Sequence, residues 1–79
     1  MFHTYILQSQ RTHRYYTGFT EDLEARLKEH NSGENKSTRY GIPWRVVHAE
    51  QFATRKEAMQ RERQIKNRGA ERFLTASSE

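Results

Sequence analysis

The 79-residue sequence has no cysteine, one proline and four glycines, and only 33% of it is apolar. Without cysteine neither a disulfide framework nor a Cys-ligated zinc knuckle can form, so the chain forgoes two common staples of small folds. The longest apolar run, Tyr5-Ile6-Leu7, falls far short of the ~20 residues of a membrane-spanning helix. The amino terminus carries neither a secretory leader pattern nor an amphipathic transit segment. The expectation is a soluble, cytoplasmic protein with no membrane partner.

A mean hydropathy of −1.16 with 30% charged residues would by itself suit a disordered chain. One Trp, four Tyr and four Phe argue against that, because they provide the bulk for one small core. Fourteen Lys and Arg against ten Asp and Glu leave a formal charge of +4. A basic surplus of this kind favours a polyanionic partner, nucleic acid in particular.

Residues 1–79 fit a single domain. Phe2 to Gln8 is rich in β-branched and aromatic residues and predicts a strand; Arg14 to Phe19 predicts a second, joined to the first as an antiparallel hairpin across Ser9–His13. Thr20 offers an N-cap for a helix over Glu21–Asn31, closed by Asn31-Ser32-Gly33. Residues 32–43 read as a loop with room for function or local mobility. Trp44 to Phe52 predicts a third strand, with Trp44, Val46, His48 and Phe52 sharing one face. Thr54 and Glu57 form a capping box for a second helix reaching about Asn67, and Gly69 breaks it. Ala70 to Leu74 predicts a short helical turn, followed by a frayed polar tail over 75–79. The fold class is therefore α/β of the α+β kind: a three-stranded antiparallel sheet flanked by helices in the order β-β-α-β-α(-α).

Several polar residues occupy positions where apolar ones belong. Helical periodicity puts Arg26 and His30 on the stripe of Leu23, and Glu62 between Ala58 and Ile65 on the second helix. A buried carboxylate is costly unless a cation, a metal or several donors meet it. One solution is a structural Arg26–Glu62 ion pair, or stripe-edge positions from which each reaches water; the other is a shared cleft in which Glu62 holds a metal and Arg26 meets a phosphate. Periodicity admits both. The cations Arg14, Arg55, Lys56, Arg61, Arg63, Lys66, Arg68 and Arg72 suit either solvated faces or a phosphate-tracking rim.

Taken as a spaced set, Tyr5, Tyr16-Thr17-Gly18, Leu23-x-x-Arg26-Leu27-x-x-His30-Asn31 and Glu57-Ala58 with Glu62-x-x-Ile65-Lys66 resemble the GIY-YIG nuclease superfamily, most of all its small stand-alone bacterial members. The name-giving triplets here read His3-Thr4-Tyr5 and Tyr16-Thr17-Gly18. The resemblance implies a metal-dependent endonuclease that hydrolyses phosphodiesters in nucleic acid, with DNA favoured over RNA, in DNA repair or processing. By position it implies Tyr5, Tyr16, Arg26, His30 and Glu62 as the catalytic set. Glu62 would be the ligand of one Mg²⁺ or Mn²⁺, and a protein partner would supply targeting. Tyr5, acidified by neighbouring cationic charge, is the expected general base, with His30 or Tyr16 assisting. A nucleic-acid-binding module with a degenerate cleft is the alternative.

Overall fold

The computed structural model describes residues 1–77. Strands β1 (Phe2–Ser9) and β2 (Tyr15–Thr20) lead into helix α1 (Leu23–Ser32), a single 3-10 turn (Arg39–Gly41), strand β3 (Trp44–Phe52) and helices α2 (Arg55–Arg68) and α3 (Ala70–Ser77). The sheet order is β2-β1-β3 with both pairings antiparallel. The expected α+β architecture is the one observed.

The chain's longest apolar run takes the central strand, where Thr4, Tyr5, Ile6 and Leu7 are all buried. Successive side chains of a strand point to opposite faces. Tyr5 and Leu7 join Trp44 in a cluster covered by Leu23 and Leu27 of α1, with Tyr16, Ile42 and Val46 packed around it. On the opposite face the Thr4 hydroxyl donates to the carbonyl of Ala58 on α2 at 2.8 Å, and α2 buries Ala58 and Ile65. Each fully buried large apolar side chain contributes about 1.5–3 kcal/mol, so these few residues carry most of the core.

The face assignment of β3 needs correction. Ile6 pairs with His48 but Leu7 pairs with Val46, so the register skips Val47. A bulge of this kind reverses the alternation beyond it. Trp44 and Val46 face the α1 cluster, whereas His48, Glu50 and Phe52 face the α2–α3 side. There the His48 ring meets Phe73 edge-on at 5.0 Å, and Arg61 Nε donates to both oxygens of Glu50 at 3.1 and 3.0 Å.

Helix α1 starts two residues later than expected. The Thr20 hydroxyl is turned onto the backbone of Asp22, accepting from its N–H at 3.2 Å, and Asp22 is the N-cap, its Oδ1 accepting from Ala25 N–H at 3.0 Å. Gly33, at φ 84°, closes the helix in the left-handed region that glycine tolerates best. The expected capping box of α2 is present in both directions between Thr54 and Glu57. Helix α3 continues through 75–77, where a frayed tail was expected; residues 78–79 lie outside the described residues.

The connection over residues 33–43 is anchored rather than free. The Asn31 side chain brackets Trp44, accepting from its N–H at 2.6 Å and donating to its carbonyl at 3.0 Å. The indole of Trp44 donates to the Thr38 carbonyl at 2.7 Å. The indole also lies so close over Gly41 that no side chain would fit there.

Candidate active site

An open cleft of about 630 Å³ runs along the edge strand β2 between α1 and the start of α2. Its walls include Tyr5, Tyr16, Gly18, Arg26, Arg55 and Glu62. Four of the five expected catalytic residues thus share one cavity, and the fifth lies behind it. The hairpin register brings this about: Tyr5 stands opposite Gly18 and Leu7 opposite Tyr16, so Tyr5 and Tyr16 fall on one face of the sheet. Their rings stack at 6.4 Å.

His30 is completely buried and does not line the cleft. Its Nε2 stands 3.4 Å from the Tyr5 hydroxyl and its Nδ1 2.9 Å from the Thr38 hydroxyl, while Tyr16 packs on its ring at 4.8 Å. Burial pushes the imidazole pKa down, the neighbouring Arg26 charge adds to this, and Glu29 opposes it. His30 is thus a neutral ring that reaches the cleft through Tyr5.

The expected acidification of Tyr5 does not occur. Burial penalises the phenolate, and Tyr16 and Glu62 add to the rise in its pKa; Arg26, close enough to donate to the hydroxyl, pulls it down without compensating. In the free protein Tyr5 is a phenol.

Arg26 and Glu62 do not form a structural ion pair with each other. Arg26 Nε lies 3.3 Å from Glu29 on its own helix, and Glu62 is approached at 3.7 Å by Lys66 on its own. The Glu62 side chain is 19% exposed and the Arg26 side chain 40%. Both are groups on the cleft wall with weak partners nearby, which disposes of the ion-pair solution.

Among the described residues no group of three or more His, Asp and Glu is assembled to hold a metal. The donor set nevertheless suits a lightly held hard cation. Magnesium commonly takes one or two carboxylates and keeps several waters, and Glu62 presents one carboxylate beside open space. The cleft walls carry Glu21, Asp22, Glu29 and Glu62 against Arg26 and Arg55. Four carboxylates facing two guanidiniums leave the lining net negative, which favours a divalent cation over a bare phosphate.

The expected basic rim divides in two. Arg55 lines the cleft, stacked 5.5 Å over Phe19, and Lys56, Arg63 and Arg68 are exposed on α2. Arg61 has a different occupation: it is committed to Glu50 and lies 4.9 Å over the Phe73 ring. Lys66 attends Glu62, and Arg14 sits on the hairpin, 5.9 Å over Tyr40. Arg72 lines a second groove with Lys66 and Arg68.

Thr38 carries no signal in the sequence, and Asn31 carries one as a helix end and as part of the family spacing but none for its bracketing of Trp44. Thr38 lies in a polar connection with no periodicity to mark it, and its 1% exposure follows only from the folding of that connection over His30 and Trp44.

The GIY-YIG catalytic domain matches this chain over residues 1–73. A UPF0213 protein of Halobacterium salinarum is 44% identical over 68 residues, covering 84% of this chain and 86% of that one. One from Bacillus licheniformis is 37% identical over 76 residues, covering 91% and 78%. One from Haloquadratum walsbyi is 51% identical over 53 residues, a match that spans 66% of this chain and only 60% of the relative's length. The solution NMR structure of a UPF0213 protein from Bacillus halodurans superposes with a TM-score of 0.59 at 34% identity, covering 99% of this chain and 84% of that one. With the tyrosine pair, the glycine, the arginine and the glutamate gathered on one cleft, and with the match running through almost all of the described structure, the chain belongs to the GIY-YIG family.

Proposed function

We propose that this protein is a metal-dependent endonuclease that hydrolyses phosphodiester bonds in nucleic acid, with DNA the favoured substrate and DNA processing or repair the setting. The family is a nuclease family. The observation that carries the reading to this chain is that Arg26 and Glu62 face one cleft with Tyr5 and Tyr16 while neither neutralises the other. A buried structural pair would leave no charge free for a substrate.

In-line attack on a phosphodiester builds negative charge on the non-bridging oxygens. Arg26 meets that charge with a guanidinium held by α1, and Glu62 would hold one Mg²⁺ or Mn²⁺, which when bound supplies Lewis-acid stabilisation at the phosphate. Tyr5 acts on the attacking water as proton acceptor, passing its own proton inward to the neutral His30 ring. Tyr16 packs against both rings and keeps them in place. Arg55 and the exposed cations of α2 position the backbone without reading its sequence.

The test is cleavage of a panel of single-stranded, duplex, flapped and branched DNA and RNA with Mg²⁺ or Mn²⁺, alongside Glu62→Gln and Arg26→Ala proteins. Metal-dependent products that disappear in both variants are expected. Urea unfolding checks the variants: because the Glu62 pair with Lys66 is weak, Glu62→Gln should shift stability by less than about 1 kcal/mol. An unprovided-for buried charge would instead cost about 3–5 kcal/mol. Salt-sensitive binding with no product from the wild type would establish the non-catalytic binding module instead.

A further inference from the structure

The Thr38 hydroxyl has a single hydrogen and two lone pairs. It stands 2.9 Å from His30 Nδ1 and donates to the Asn35 carbonyl at 3.4 Å. On the far side of the ring, Nε2 faces the Tyr5 hydroxyl at 3.4 Å. Arg26, the other polar group acting on that hydroxyl as a hydrogen-bond partner, is a donor only. Among the described residues, the Tyr5 hydrogen is therefore satisfied only by a lone pair on Nε2.

One arrangement of protons satisfies every group along this line. Tyr5 O–H donates to Nε2, Nδ1–H donates to Thr38 Oγ1, and the Thr38 hydroxyl donates to the Asn35 carbonyl. The reverse tautomer would point Nε2–H at Tyr5, turn the Thr38 hydrogen from the Asn35 carbonyl to Nδ1 and leave that carbonyl to the Thr38 N–H at 3.2 Å alone, and the phenol hydrogen would then turn toward the cleft. That reversal would convert Tyr5 from an acceptor at the cleft into a donor.

We propose that Thr38 is a positioning residue that fixes the Nδ1–H tautomer of His30 and so holds the Tyr5 hydrogen inward, leaving the oxygen lone pair not taken by Arg26 to face the reacting water. The inference rests on the nuclease reading for its consequence, but not for the hydrogen-bond direction itself. Thr38 is held where this requires it: the residue is 1% exposed, and its carbonyl accepts from the Trp44 indole at 2.7 Å and from the Gly41 N–H at 3.1 Å. The proton movement balances. The water's proton goes to Tyr5 oxygen as the Tyr5 proton goes to Nε2, leaving imidazolium with Nδ1–H still donating to Thr38.

The experiment reads the ¹⁵N shifts of the His30 imidazole in the metal-free wild type, Thr38→Ser and Thr38→Val, with His30→Gln to assign the resonances. The wild type and Thr38→Ser should carry the proton on Nδ1, and Thr38→Val should move it to Nε2. Cleavage should survive in Thr38→Ser and fall about 10- to 100-fold in Thr38→Val, the range seen when an outer hydrogen-bond partner of a functional group is lost. A wild-type proton on Nε2 overturns the proposal, as does a Thr38→Val protein with unchanged tautomer and cleavage, or a Thr38→Ser protein as impaired as Thr38→Val. If Thr38→Val fails to fold, the wild-type tautomer alone decides. Because the tautomer is read without substrate, an inactive wild type with the proton on Nδ1 would count against the nuclease reading and leave the hydrogen-bond direction standing.

Discussion

The hydroxyl of Tyr5 occupies the space beside Gly18 that any side chain at position 18 would need: a Cβ built there lies 2.7 Å from the oxygen and 3.0 Å from the ring carbon that bears it. Glycine at this point in a strand gives up packing and entropy, and what it gains is room for the tyrosine directly opposite.

Gly18→Ala should therefore act on Tyr5 and not on the backbone. The ring is wedged between Gly18 and His30, so it must shift, with an overpacking cost of about 1–3 kcal/mol. The expected result in urea unfolding is a lower midpoint with an unchanged slope. Cleavage should fall further than stability, because the hydroxyl loses its alignment on His30. A Gly18→Ala protein as stable and active as wild type would show that Tyr5 has another place to go.

Arg55 and Arg61 carry the same charge on the same helix, yet they should behave oppositely. Arg55→Ala removes a cation at the cleft and should weaken nucleic-acid binding, with the salt slope dropping by about 1, while leaving the unfolding midpoint near wild type. Arg61→Ala strips Glu50 of the Nε–H shared between its two oxygens and Phe73 of its stacked guanidinium. Losing hydrogen bonds to a charged group costs about 1.5–3 kcal/mol, so the loss should show in unfolding and hardly at all in salt-dependent binding. Titrating binding and unfolding across the two variants separates a substrate contact from a structural one.

Acid should weaken the fold in two stages. The pKa of His30 is lowered in the folded state, so the unfolded chain takes up that proton first, and stability begins to decline as the pH drops below the ordinary histidine value of 6.5. Glu50 follows: burial opposes its charge, but hydrogen bonds from His48 and Arg61 outweigh it and hold its pKa below 4.5. Its contribution is present above 4.5 and is lost as the pH falls through the folded value. Denaturant midpoints measured from pH 8 to pH 3 should show the upper decline abolished in His30→Gln and the lower one abolished in Glu50→Gln.

Most of the scaffold was legible from local signals. The capping box at Thr54, the left-handed stop at Gly33 and the two strand runs each depend on residues close together in the chain. Arg26 and Glu62 were legible as polar positions on apolar stripes, and the spacing of Tyr5, Tyr16, Arg26 and Glu62 carried the family resemblance. What escaped was long-range. The β3 bulge arises from register against β1, the buried place of His30 depends on a connection folding over it, and the commitment of Arg61 to Glu50 joins α2 to a strand face that the alternation rule had misassigned. The raised Tyr5 pKa escaped for the same reason, since desolvation is a property of the whole neighbourhood and not of adjacent charges.

The skipped residue in β3 gives that strand two allegiances. Its first half serves the tyrosine–tryptophan cluster under α1, and its second half serves the His48–Glu50–Arg61–Phe73 assembly that seats α3. Val47 is thus a phase shifter. Forcing that residue into unbroken pleating would rotate everything beyond it by half a turn and present His48 and Glu50 to the wrong layer, whereas deleting it would leave each half of the strand facing the layer it faces now.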